Sequence, residues 1–398
     1  MNPLACDSTD PAFVEAPVAP GLRPHVLLLT VSLLVGGAET LVYGLALGLL
    51  SRGWRVTVVS MMPPTAFVEE LEDAGATVHS LGMSPGRLNL SGIAQFMRLL
   101  LTHRFDLIHS HMFHANLLAR LARASGIAPN VVCTVHNITE AKRGKSTARL
   151  RELAYVLTNR WCHATIAISD RVAQRYFDDG ILLPARTHVI VNGVDPDKFL
   201  RSPMDRGILR RELRSPDAFL WLSVGRLEFQ KDFPNLLTAF ARVAASEPNA
   251  HLWIAGTGSL HAELLTLIRT LGLSNRVEIL GARTDIVALL SACDGFVLAS
   301  RFEGLPVAIL EAASCECPIV ATAVGGNGEI LHSGAGRLCP SEDSEALATS
   351  MLSLMRTSET ERRRMGALAR QGVIEEFSLE ATVRRYESLY REAAPCVF

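Results

Sequence analysis

At 398 residues the chain is long enough for two or three domains of ordinary size. Hydrophobic residues make up 48% and charged residues 20%, which excludes a disordered chain. Lys and Arg number 39 against 40 Asp and Glu, so a net charge of -1 offers no field to hold nucleic acid, and eight cysteines scattered over this length fit a reducing cytoplasm better than a disulfide-stapled secreted fold.

The first 24 residues, with Pro3, Pro11, Pro17, Pro20 and Pro24 and neither a basic start nor an apolar run, read as a flexible tail. The apolar stretch that follows, Val26 to Leu50, is broken by Gly36, Gly37 and Glu39, so it reads as strand, turn and helix and not as a membrane span. The segments HVLLLTV, RVTVVS, ATVHSL, FDLIHSH, VVCTVH and ATIAIS predict six strands. They alternate with helix candidates at Ala38 to Ser51, Ile93 to Thr102, Ala115 to Ala124 and Thr147 to Cys162. Such alternation is the mark of βαβ units around a parallel sheet, here spanning residues 25–198.

HVIVNGVDPDKFLRSPMD is rich in turn formers and reads as the joint between domains, leading into a basic helix from Arg206 to Arg214. The pattern then restarts with AFLWLSVG, AHLWIAGTG, RVEILG, GFVLAS and CPIVAT, separated by helices such as Leu236 to Ser246 and His261 to Leu271. This defines a second Rossmann-like domain over residues 199–375. After about Cys339 only helical patterns remain, and the last, within 376–398, is expected to cross back to the first domain. Two such domains face each other across a cleft at the carboxyl ends of their sheets, where open α/β proteins hold ligands.

The stretch from Ser300 to Leu331 carries the most chemistry. Glu303 and Glu311 bracket seven residues, and Pro306 suits the first turn of a helix continuing through Ala313. Glu303 then lies ahead of the helix and Glu311 inside it, with the amides of Gly304 and Leu305 at a positive helix start able to bind phosphate. The plain alternative is two solvated surface acids. Arg226 just beyond a strand and Lys231 just before a helix place two cations at the cleft mouth, suited to charge growing on a departing diphosphate. Loop cations also serve solubility alone, but Lys231 is one of four lysines beside 35 arginines. Gly36 and Gly37 follow the first strand, where backbone can approach a phosphate or sugar, or simply turn tightly. Gly256 and Gly258 lack the third glycine of a dehydrogenase fingerprint.

Taken in chain order, Gly36-Gly37-Ala38-Glu39, the joint Asn192-Gly193-Val194-Asp195, Gly225-Arg226-Leu227 to Lys231, Gly256-x-Gly258, Glu303-x7-Glu311 and Gly325-Gly326-Asn327-Gly328-Glu329 resemble glycosyltransferase family 4 over roughly residues 25 to 390. The resemblance implies an α/β GT-B fold, retention of anomeric configuration, no required metal or cofactor, and a nucleotide-sugar donor, UDP-sugar ahead of GDP-sugar. It implies that Arg226 and Lys231 bind the donor diphosphate, that Glu303 contacts the transferred sugar and that Glu311 binds the ribose. Gly36 and Gly37 would line the donor phosphate and acceptor, and His136, in TVHN, would face the donor sugar. Gly328 departs from the larger residue found in many relatives. The expected partners are the donor and a glycan or lipid-linked acceptor, in cell-surface polysaccharide or glycolipid synthesis. The rival readings are a nucleotide-sugar epimerase, a phosphorylase on the same scaffold, and a non-catalytic nucleotide-sugar binder.

Other signals point to structure. His109, His111 and His114 are expected to hold no metal, since no carboxylate completes the set, although His111 is placed on the acceptor side. Cys315 and Cys317 are expected to pack beside the following strand. Asp195-Pro196-Asp197 reads as a hinge turn and not as a metal-binding pair. The basic run from Lys142 to Arg151, if on one helix with Arg160, would touch anionic lipid at a peripheral inner-membrane position; otherwise it is a solvated face.

Overall fold

The computed structural model describes residues 23–34, 36–84, 89–136, 145–212 and 218–395, without the side chains of residues 145–148, 203 and 212. Residues 1–22 of the expected tail and the basic residues Lys142 and Arg143 thus lie outside the described residues.

The first domain is built on seven strands: β1 His25–Thr30, β2 Arg55–Ser60, β3 Thr77–Ser80, β4 Leu107–His111, β5 Asn130–Val135, β6 Ala164–Ala167 and β7 Thr187–Val189. All pair in parallel, in the order β3-β2-β1-β4-β5-β6-β7. The second domain has β8 Phe219–Val224, β9 Ala250–Ala255, β10 Val277–Gly281, β11 Gly295–Leu298, β12 Ile319–Thr322 and β13 Arg337–Cys339. Their order, β10-β9-β8-β11-β12-β13, repeats the same doubly wound plan. Helices cover both faces of each sheet, which is why β1 is apolar on both faces along its middle: Val26, Leu27, Leu28 and Leu29 are all fully buried. In both sheets the order reverses beside the first strand, between β1 and β4 and between β8 and β11. The loops leaving those strands therefore open toward the cleft.

The expected strands are all present, but β7 and β13 are additional. Each has three residues and lies at a sheet edge, too short and too exposed to show alternation. Helices Val68–Asp73 and Asp170–Asp178 are likewise additional. Pro306 is the residue capping helix Val307–Ser314 and not part of its first turn.

The C-terminal helix Leu379–Ala393 packs on the first helix, Gly37–Ser51, in the other domain. Gly44 and Gly48 make this possible, because a Cβ at Gly48 would lie 2.5 Å from Cγ2 of Val383 and one at Gly44 3.0 Å from Cδ1 of Leu379. Trp54 Nε1 donates to Glu387 at 3.0 Å and closes the contact. The joint and this return crossing run side by side. Val194 N donates to Phe377 O at 3.0 Å, and Leu379 N to Val194 O at 2.9 Å. Asp195 Oδ1 accepts from the amide of Asp197 at 3.0 Å, which makes the Asp-Pro-Asp segment a turn, as expected of a hinge.

Candidate active site

Beyond β11 the chain turns through Ser300 to Glu303, and beyond β8 it passes Arg226 into a short 3-10 turn, Phe229–Lys231. The adjacency of β8 and β11 brings these loops together. Lys231 Nζ lies 2.6 Å from Glu303 Oε1, with the side chains only 14% and 6% exposed, so the pair is largely withdrawn from water. Ser300 Oγ donates to the same oxygen at 2.6 Å, and Gln230 Nε2 to Oε2 at 3.3 Å. Glu303 is therefore a held carboxylate and not a solvated acid. Arg226 is exposed at the loop surface, while neighbouring Glu228 directs its oxygens to the amide and hydroxyl of Ser259 at 2.9 and 2.8 Å.

Lys231 is set by residues that sequence reasoning overlooked. Asp232 follows it in the left-handed region, φ 49°, where Asp is tolerated better than most side chains. Arg301 Nη2 donates to Asp232 Oδ1 at 3.0 Å, and its amide to Gln230 O at 2.9 Å. Its guanidinium also stacks 4.5 Å from the ring centroid of Phe229. The available signal was the odd position of Asp232 between a lysine and a helix start; Arg301 gave none, being one arginine among 35.

Gly304 and Leu305 lead into helix Val307–Ser314, whose cap, Pro306, provides no side-chain acceptor for the first amides. The segment fits only because glycines flank it. A Cβ at Gly304 would lie 2.4 Å from the carbonyl oxygen of His136, and one at Gly325, whose φ is +52°, would lie 2.2 Å from that of Glu303. Gly304 is thus one place where the two domains touch. Gly37 stands near as well, a Cβ there falling 3.6 Å from Cγ2 of Val307. Helix Gly37–Ser51 also begins without a side-chain cap at Gly36, over which Glu39 folds back, held by Ser32 Oγ at 2.7 Å. Residues from the turn after β1, the end of β5, and the loops after β8 and β11 converge on one place.

Glu311 belongs to a different side of this region. It keeps an accessible edge, yet burial pushes its carboxyl up to about 7, against the pull of Lys198 from the joint. Its charged neighbour is thus Lys198, where Glu303 has Lys231.

His136 is almost wholly buried, and its ring is pushed down to about 4 by burial, so it is neutral at ordinary pH. Its Nε2 lies 3.2 Å from Nδ1 of His111. His111 is fully buried and lines no surface of the cleft, which corrects its expected place on the acceptor side. His109 is engaged by Tyr390 OH at 2.5 Å and Thr134 Oγ1 at 2.7 Å. Among the described residues no group of three His, Cys, Asp or Glu side chains could hold a metal ion. Cys317 is buried with Cys293, their sulfurs 3.6 Å apart, and Cys315 is buried beside them. Lys145 opens helix Lys145–Thr158, and Arg160 lies in the 3-10 turn that follows it.

The family described as Glycosyltransferase Family 4 matches residues 35–198, and that described as Glycosyl transferases group 1 matches residues 205–372. The UDP-Gal:alpha-D-GlcNAc-diphosphoundecaprenol alpha-1,3-galactosyltransferase of Escherichia coli is 26% identical over 76% of this chain and 79% of that protein. A D-inositol 3-phosphate glycosyltransferase of Geodermatophilus obscurus is 30% identical over 73% of this chain and 67% of that protein. Among solved structures, Anabaena HepE in complex with UDP-glucose superposes with a TM-score of 0.81 at 26% identity, covering 92% of this chain and 99% of HepE.

Proposed function

Since the chain belongs to the GT-B glycosyltransferases that join a family 4 domain to a group 1 domain, we propose that it moves a hexose from a UDP-sugar, with retention of configuration and without metal, onto a glycan or lipid-linked acceptor in cell-surface polysaccharide or glycolipid synthesis. The observation that carries this reading is the shielded Lys231–Glu303 pair, at the loops where the domains meet. UDP and UDP-glucose are bound by HepE, and the E. coli relative is named for a diphosphoundecaprenol acceptor. Residues 25–198 would receive the acceptor and 199–375 the donor, with 376–398 tying the two together.

As the donor bond stretches, negative charge grows on the diphosphate. Arg226, Lys231 and the amides of Gly304 and Leu305 favour that separation, with Lys231 already held in place by Glu303. Glu303, held by Ser300 and Gln230, accepts hydroxyls of the transferred sugar, His136 meets the same sugar from the opposite domain, and Glu311 takes the ribose. Gly36 and Gly37 admit phosphate and acceptor close to the backbone. The acceptor hydroxyl passes its proton to the departing phosphate on the same face.

A thermal-shift titration with UDP, GDP and ADP, each with and without EDTA, tests the donor site. The expected result is stabilisation by UDP, indifferent to EDTA and absent from the Arg226→Ala/Lys231→Ala variant. Preference for another base, or equal stabilisation of the double variant, would overturn the assignment.

The lipid side of the reading rests on helix Lys145–Thr158. Leu150, Leu153, Val156 and Leu157 are 45–66% exposed there, with Arg149 and Arg160 exposed beside them. No helix among the described residues is long and apolar enough to cross a membrane, so this face would lie on an anionic leaflet, at the inner membrane surface. Sedimentation with phosphatidylglycerol vesicles, reduced in a Leu150→Ser/Leu153→Ser/Leu157→Ser variant, is expected; equal sedimentation of both proteins would remove this part.

A further inference from the structure

Three histidines share one face of the first sheet. Parallel pairing sets His111 of β4 opposite Thr134 of β5, so His136 follows just beyond on the same face. The rings form a file: His109 and His111 lie 4.0 Å apart by centroid, and His111 and His136 5.4 Å. The C-terminal helix closes the file from outside, with Tyr390 bonded to His109 and the Tyr386 ring 5.2 Å from it.

Within this file His111 has an unusual polar balance. Its Nδ1 meets His136 Nε2 at 3.2 Å, while its own Nε2 is buried without a hydrogen-bond partner among the described residues. The two neutral rings share one proton along the Nδ1 to Nε2 line. If His136 supplied it, His111 would carry its own proton on Nε2, as a buried N–H with no acceptor, an arrangement native structures rarely tolerate. If His111 supplies it, the buried atom is a bare nitrogen, and His136 carries its proton on Nδ1, the nitrogen that does not engage His111.

We propose that His111 is a positioning residue that donates from Nδ1 to Nε2 of His136, so that His136 presents a single protonated nitrogen, Nδ1–H, to an oxygen of the bound sugar. This rests on the reading that His136 faces the donor sugar. His111 touches no substrate itself; it determines which nitrogen of His136 donates and in what direction. His109, tilted against the His111 ring and anchored at both ring nitrogens by Tyr390 and Thr134, keeps His111 from turning.

Two-bond proton–nitrogen spectra of the imidazoles, in full-length protein labelled with nitrogen-15 histidine and assigned through His136→Gln, read the tautomer directly. His136 is expected as the Nδ1–H form in the wild type and as a mixture or the Nε2–H form in His111→Phe. His111→Gln, whose amide can donate, should restore part of the pattern. UDP release from UDP-glucose should fall about tenfold or more in kcat for His111→Phe, with KM nearly unchanged, as expected when a contact group is misaimed and not removed. An Nε2–H pattern in the wild type, or an unchanged His136 pattern in folded His111→Phe, overturns the proposal. Absence of wild-type turnover of UDP-glucose, with the spectra as expected, would count against the donor assignment and leave the positioning of His136 standing.

Discussion

Lys231 and Glu303 are 72 positions apart in sequence and share a contact from which water is largely excluded. An ion pair in such a place is held less by its own attraction than by what its loss would expose. Removing one partner leaves the other charged, poorly solvated and short of hydrogen bonds. Lys231→Ala is therefore expected to cost about 3 kcal/mol, the lower end for breaking a buried pair, because Ser300 and Gln230 still hold Glu303. In the Lys231→Ala/Glu303→Ala double variant a good part of that loss should return, and a urea-denaturation cycle measures the coupling. A coupling below about 0.5 kcal/mol would place the pair among surface ion pairs. Glu303→Gln keeps the shape and removes the charge, so it should lose turnover while keeping most of its stability.

At the scale of elements, the join between the first and last helices depends on missing side chains. Glycine inside a helix costs about 1 kcal/mol against alanine, so Gly48→Ala would ordinarily stabilise. Here the new methyl would meet the branched, stiff Val383 at 2.5 Å, and overpacking reverses the sign. Gly372, in helix Glu359–Glu376, has nothing within 4 Å of its hypothetical Cβ and supplies the control. Melting temperatures should rise for Gly372→Ala and fall for Gly48→Ala; a rise in both would show that the C-terminal helix is not seated against Gly48. The sequence carried the helices themselves, through their apolar period, but not this seat. Small residues in a helix look alike whether they face solvent or a neighbour.

For the whole molecule, protonation of buried groups decides how stability varies with pH. Burial lowers His109, His111 and His136 below their ordinary 6.5, His136 to about 4. The unfolded chain takes up protons at these positions as pH falls through 6.5 and the folded chain does not, so stability is lost on acidification below that value. Glu311 acts with the opposite sign. Its folded value is raised from 4.5 to about 7, so its contribution is complete below 4.5 and is lost as pH rises through 7. Three histidines outweigh one glutamate, and the denaturation midpoint should fall between pH 7 and 5. It should fall more steeply in Glu311→Gln, from which the opposing contribution is absent. A midpoint unchanged over this range would mean that the histidines are solvated.

Taken alone, the sequence determined the two parallel α/β domains, because hydrophobic period is a local property of a chain. Edge strands β7 and β13 escaped it, three residues being too few to display a period. Only the tertiary structure paired Lys231 with Glu303, seated the His136 carbonyl on Gly304 and gave Arg301 to Asp232. It also turned His111 from a cleft residue into a buried support for His136. Each of these contacts joins loops that strand order and domain closure bring together across many intervening residues, and no local pattern records that geometry.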